Sequence, residues 1–92
     1  MLIEFDPHKD AINIAKHGMS FADAARFEWD SAVISMDLRE DYGEDHQVAW
    51  GFIDPHLCVL VFVETDEACR VISLRKATNQ EKTQYARIFN AS

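Results

Sequence analysis

Leu57-Cys58-Val59-Leu60-Val61-Phe62-Val63 is an uninterrupted apolar run, rich in β-branched and aromatic residues and bounded by the turn residues Asp54-Pro55-His56 and by Thr65 to Ala68. Such a run suits a central strand covered on both faces. Working outward, Cys69 to Arg75 reads as the next strand. On the other side, His46, Val48, Trp50 and Phe52 alternate with Gln47, Ala49 and Gly51 as the strand before it. Ala32, Ile34, Met36 and Leu38 have the same period of two and form a fourth strand, joined by an exposed acidic connection from Asp37 to Asp45 that contains Tyr42-Gly43.

Helices flank this block. Leu2-Ile3-Glu4-Phe5 is a short opening strand, after which Asp6-Pro7 supplies an N-cap and a proline at the first helical position. Ala11, Ile12, Ile14 and Ala15 offer this helix a broad apolar face, and Lys16-His17-Gly18 closes it with cations in the last turn and glycine beyond. Ser20-Phe21-Ala22-Asp23 starts a second helix to about Trp29, with Phe21, Ala24 and Ala25, joined by Phe27, as its buried side. Thr78-Asn79-Gln80-Glu81 is a capping box for a final helix burying Tyr85, Ile88 and Phe89. The order is β-α-α-β-β-β-β-α. Consecutive strands on short turns imply an α+β architecture, a mainly antiparallel sheet with helices on one side and the other face free for function.

The chain of 92 residues is 48% hydrophobic and 27% charged, within the range of ordinary globular domains, so residues 1–92 are expected to form a single domain. No run approaches the roughly 20 apolar residues that cross a bilayer, and the N-terminus lacks the basic start and apolar stretch of a secretion signal, so a cytosolic protein is expected. Cys58 and Cys69 lie in strand-like segments without Cys-x-x-Cys spacing and read as buried thiols. A net charge of −7 argues against a non-specific nucleic-acid binder. Its distribution is uneven: residues 1–64 carry 4 basic and 13 acidic side chains, residues 65–92 carry 5 and 3. A polyanion should therefore meet the C-terminal third, around Arg70, Arg75 and Lys76.

Alternation in the last strand places Val71, Ser73 and Arg75 on one face and Ile72 and Leu74 on the other, the core side. Arg75 facing the open side can grip a phosphate with two parallel hydrogen bonds, and Lys76 precedes a helix N-terminus; composition alone favours both being solvated or paired with Asp or Glu. His17 can shuttle a proton near neutral pH, or simply interact with the end of its helix. His46 reads as a second proton donor or as an ordinary exposed strand residue, and Tyr85 as core. Histidines at 8, 17, 46 and 56 have no metal-site spacing.

Several elements together resemble the BrnT family of ribonuclease toxins. They are the proline-led first helix, Asn13 followed by Lys16-His17-Gly18, Ser20-Phe21-Ala22-Asp23-Ala24, Asp30, and Arg70-Val71-Ile72-Ser73-Leu74-Arg75-Lys76-Ala77 with Glu81 and Tyr85. The resemblance covers essentially the whole chain. It implies a RelE-like fold and a toxin of a type II toxin-antitoxin pair: a metal-independent, cofactor-free endoribonuclease that inhibits translation and is neutralised by a BrnA-type antitoxin. Operator DNA is then contacted only through the antitoxin, in a heterotetramer or other antitoxin-bridged dimer. In RelE-like enzymes the ribose 2′-hydroxyl attacks the adjacent phosphate. Carried onto this sequence, His17, Arg70 and Arg75 are the catalytic residues, His17 for proton transfer and the arginines for the phosphate, with Lys16, Lys76, His46 and Ser73 contacting RNA. The chain has Glu44-Asp45-His46 where many relatives have an acidic pair followed by arginine. That difference implies weaker or differently tuned activity, and with it an alternative role as an antitoxin-binding module.

Overall fold

The computed structural model describes residues 2–37 and 43–90. The elements follow in the order β1 (Ile3–Glu4), α1 (Pro7–His17), a 3-10 helix (Phe21–Arg26), β2 (Val33–Met36), β3 (Gln47–Ile53), β4 (His56–Glu64), β5 (Cys69–Lys76) and α2 (Asn79–Asn90). The five strands form one sheet in the order β1-β5-β4-β3-β2. β2, β3, β4 and β5 pair antiparallel with their neighbours in that order, and β1 adds to β5 in parallel. This is the expected α+β fold. β4 sits in the centre, and Leu57 to Val63 are all buried.

Local capping operates where the sequence places it. The Asp6 carboxylate accepts from the His8 N–H at 2.8 Å, Pro7 opens α1, and Gly18 ends it at φ 72° with its N–H on the Ile14 carbonyl. At α2 the Thr78 hydroxyl accepts from the Glu81 N–H and Glu81 accepts from the Thr78 N–H.

The main core lies on one face of the sheet. Met19, Phe21, Ala24 and Phe27 pack onto Ala49, Ile53, Cys58, Leu60, Phe62, Cys69, Val71 and Leu74. Both cysteines are free and buried, and burial pushes their thiols up, Cys69 to about 11.

Four expectations need correction. The second helix is a 3-10 helix that stops at Arg26, because the chain must become extended for Phe27 to bridge Ile53 and for the Glu28 N–H to reach the Phe52 carbonyl at 2.9 Å; Ala25 is exposed. In α1 the apolar residues face solvent, with Ile12 55% and Ile14 45% exposed, while the inward stripe is Asp10, Asn13 and His17. Ile34 and Met36 share the core face with Ala49 but stay half exposed on the edge strand, and Leu38 lies outside the described residues with most of the acidic connection. Finally, α2 packs on the opposite face of the sheet from the 3-10 helix: Tyr85 is buried against Phe52, with ring centroids 5.6 Å apart, whereas Ile88 and Phe89 are exposed. The free face is thus only partly free.

Candidate active-site cleft

β5 contains an irregularity that decides which side chains meet. Val61 pairs with Ser73 but Phe62 pairs with Val71, so Ile72 is the extra residue of a bulge. On the C-terminal side of the bulge Ser73 and Arg75 stand opposite Val61 and Val59; on the N-terminal side Arg70 stands opposite Val63. The bulge therefore puts Arg70, Ser73 and Arg75 on one face. It turns Val71, 2% exposed, into the core instead of onto the open face with Ser73, and leaves Ile72 half-buried instead of in the core. Strict alternation in the sequence pointed both the other way.

That open face floors a cleft of 670 Å³. Val48, Trp50, Val59 and Val61 form its base; Lys16 and His17 come from α1, Asp37 and His46 from the β2–β3 end, and Glu81 from α2. Ser73 and Arg75, with Ser35, Met36 and Ile72, complete it. Five of the seven sequence-derived site residues, Lys16, His17, His46, Ser73 and Arg75, are thus brought together. Arg70 and Lys76 do not line the cleft: Arg70 lies beside it, its Nη2 2.6 Å from both Glu44 oxygens, and Lys76 ends the strand exposed, its carbonyl accepting from Arg75.

Each titratable group has a definable environment. The His17 ring is held below its ordinary pKa of 6.5, first by partial burial and then by the positive charges of Lys16 and Arg75, so it is neutral at pH 7 and able to accept a proton. Arg75 gives Glu81 two parallel hydrogen bonds, Nη1 to Oε1 at 2.7 Å and Nη2 to Oε2 at 2.9 Å. That guanidinium, aided by the Thr78 N–H and against the opposing effect of burial, holds Glu81 down to about 2. His46 is buried, not an exposed strand residue, with Nε2 3.2 Å from Glu44 Oε1. Glu44 is in turn held below its usual range by Arg70 first and His46 second.

Sequence reasoning missed three carboxylates that build this site. Asp10 bonds the Phe21 N–H at 2.7 Å and the Ser20 hydroxyl, fixing the turn after α1. Asp37, 7% exposed, was hidden in an acidic run; Glu81 was read as a helix cap and as part of the family resemblance, without a role in the site. Among the described residues no three of His, Cys, Asp or Glu group closely enough to hold a metal ion.

The family profile described as "Ribonuclease toxin, BrnT, of type II toxin-antitoxin system" matches residues 5–81, from the end of the opening strand to Glu81. The chain belongs to the BrnT family. Its fold also matches the crystal structure of the Brucella abortus ribonuclease toxin BrnT, with a TM-score of 0.66 and 31% identity over 86% of this chain and 99% of that one. No curated protein sequence matches it. As a BrnT chain it is a toxin-family member of a type II system, which implies an antitoxin partner. The BrnT match spans all of the cleft residues from Lys16 to Glu81.

Proposed function

We propose that this BrnT chain is a metal-independent endoribonuclease that stops translation and is neutralised by a BrnA-type antitoxin. The observation that carries the reading is the convergence in one cleft of the His17 imidazole, held below its ordinary pKa, with the Lys16 ammonium and the Arg75 guanidinium. His17 takes the proton of a ribose 2′-hydroxyl, the oxygen attacks the neighbouring phosphorus, and the bond to the 5′-oxygen breaks, leaving a 2′,3′-cyclic phosphate and a 5′-hydroxyl. Arg75 and Lys16 balance the charge that grows on the phosphate oxygens, with the Ser73 hydroxyl as a neutral donor. His46 donates the proton to the leaving oxygen. Arg70 and Lys76, outside the cleft, position flanking RNA.

The test is cleavage of an RNA oligonucleotide in EDTA. Wild-type protein is expected to release cyclic-phosphate ends; His17→Ala lowers the rate by about 10²- to 10⁴-fold and Arg75→Ala by about 10²- to 10³-fold. The rate is expected to rise with pH along a limb below 6.5 that disappears in His17→Ala.

One observation favours a second reading, an antitoxin-binding module with little catalysis. The formal charges lining the cleft cancel, Lys16 and Arg75 against Asp37 and Glu81, and His46 stands where the family resemblance leads one to expect arginine. Under this reading Arg75→Ala changes neither RNA integrity nor growth of cells expressing the protein.

A further inference from the structure

We infer that Glu81 is the positioning residue for Arg75 in RNA cleavage, an inference that rests on the ribonuclease reading above. An arginine at the end of a strand has a long side chain with many rotamers, and a phosphate-gripping fork works only when its plane is fixed. Glu81 fixes that plane by meeting both terminal nitrogens, at 2.7 and 2.9 Å. The pair is partly buried, with side chains 17% exposed for Glu81 and 34% for Arg75.

Glu81 is itself held. Its Oε1 also accepts from the Thr78 N–H at 2.9 Å, and its own N–H donates to the Thr78 hydroxyl at 3.1 Å, so the carboxylate belongs to the first turn of α2. That helix is anchored by the Tyr85 hydroxyl on the Ser31 carbonyl at 2.7 Å and by the Tyr85 ring against Phe52. A single carboxylate thus caps α2 and aims the guanidinium, and the seating of the helix sets the orientation of Arg75 in the cleft. Since pairing neutralises both charges, the contribution is orientation, not added positive potential.

The experiment compares steady-state cleavage of an RNA oligonucleotide in EDTA by the wild-type chain, Glu81→Gln, Thr78→Ala, Arg75→Ala and the double variant Arg75→Ala with Glu81→Gln. Glu81→Gln is expected to lower kcat by about 10- to 100-fold with KM changed less than about threefold. In the Arg75→Ala background it should add less than about twofold, because it acts through the missing arginine. Thr78→Ala removes a cap while leaving the pair, so it should lower the melting temperature and keep kcat within about threefold. Equal losses from Thr78→Ala and Glu81→Gln, or multiplying losses in the double variant, would overturn the inference. If wild-type protein cuts no RNA, the ribonuclease reading fails separately, and affinity for a 2′-O-methyl RNA decides the positioning: a loss on Glu81→Gln only when Arg75 is present upholds it, while independence from either residue, or no binding at all, overturns it.

Discussion

Asn13 does for the edge of β5 what a strand would otherwise do. β1 covers that edge only at Cys69 and Arg70, and beyond it the Asn13 amide donates to the Leu74 carbonyl at 2.8 Å and accepts from the Leu74 N–H at 3.3 Å, while also donating to the Met19 carbonyl at 2.9 Å. A primary amide is shaped for this task, carrying a donor and an acceptor side by side. Asn13→Leu keeps the size and strips both, leaving buried backbone groups unpaired at roughly 1–3 kcal/mol each; a loss of about 3 kcal/mol in urea unfolding is expected. Asn13→Asp should be no better, since it presents an oxygen to two carbonyls. Glu81 gives a second residue-level outcome. Its carboxyl is depressed from 4.5 to about 2 in the folded chain, so its contribution to stability is complete above about 4.5 and is lost as pH falls toward 2. Unfolding midpoints measured from pH 7 to pH 2 should therefore fall in that window, and Glu81→Gln should flatten the part of the fall that this group causes. Residue-level features that were legible in the sequence are those whose partners are near in the chain: the Asp6-Pro7 start, the Gly18 stop, the Thr78–Glu81 box. Asn13 was not, because Leu74 is 61 residues away.

At the scale of elements, the strands were legible, as were the buried Phe21, Ala24, Phe27 and Tyr85, but the inward face of α1 was not. A strand covered on both sides announces itself by composition, as β4 does, and hairpin neighbours follow from turn residues. The apolar residues of α1 misled because its inward face is the polar stripe Asp10, Asn13 and His17, at i, i+3 and i+7, in which Asn13 bonds the edge of β5 and Asp10 the Ser20–Phe21 turn in place of hydrophobic contacts. The same stripe delivers His17 to the cleft. The bulge at Ile72 was equally hidden, since one extra residue in β5 shifts the parity of half a strand without any glycine or proline to mark it. A close approach between elements is also silent in sequence. A Cβ on Gly51 would lie 2.5 Å from Phe27 Cζ, so β3 accepts the 3-10 segment only because position 51 has no side chain. Gly51→Ala is expected to destabilise the protein by about 1–3 kcal/mol by forcing Phe27 outward. Phe27→Leu in the same background should restore part of that loss in thermal unfolding, whereas a Gly51→Ala effect unchanged by trimming Phe27 would place the cause elsewhere.

Across the whole molecule, charge and fold divide the labour along the chain. The sequence shows an acidic first part, net −9 over residues 1–64, and a basic remainder, net +2 over residues 65–92. The fold then brings Lys16 and His17 from the acidic part beside Arg75 from the basic part. What composition could not show is that the two arginines of β5 are already paired, Arg75 with Glu81 and Arg70 with Glu44. A cation already neutralised by its own carboxylate displaces few of the counterions condensed on RNA, and each phosphate newly neutralised on a single strand contributes about −0.7 to the slope of log affinity against log salt. Binding of a non-cleavable 2′-O-methyl RNA should therefore depend only weakly on salt, with a slope between about −0.7 and −2, or a loss of roughly three- to sixteenfold from 50 to 200 mM salt. Glu44→Gln frees the Arg70 charge and puts an amide in place of the carboxylate beside His46, so it should tighten binding at low salt and steepen the slope by about 0.7. Fluorescence anisotropy across that salt range measures both quantities. A wild-type slope of about −4 or steeper would mean that RNA neutralises a cationic surface larger than Lys16, Arg70, Arg75 and Lys76 provide, and the substrate path would then have to run over another part of the molecule.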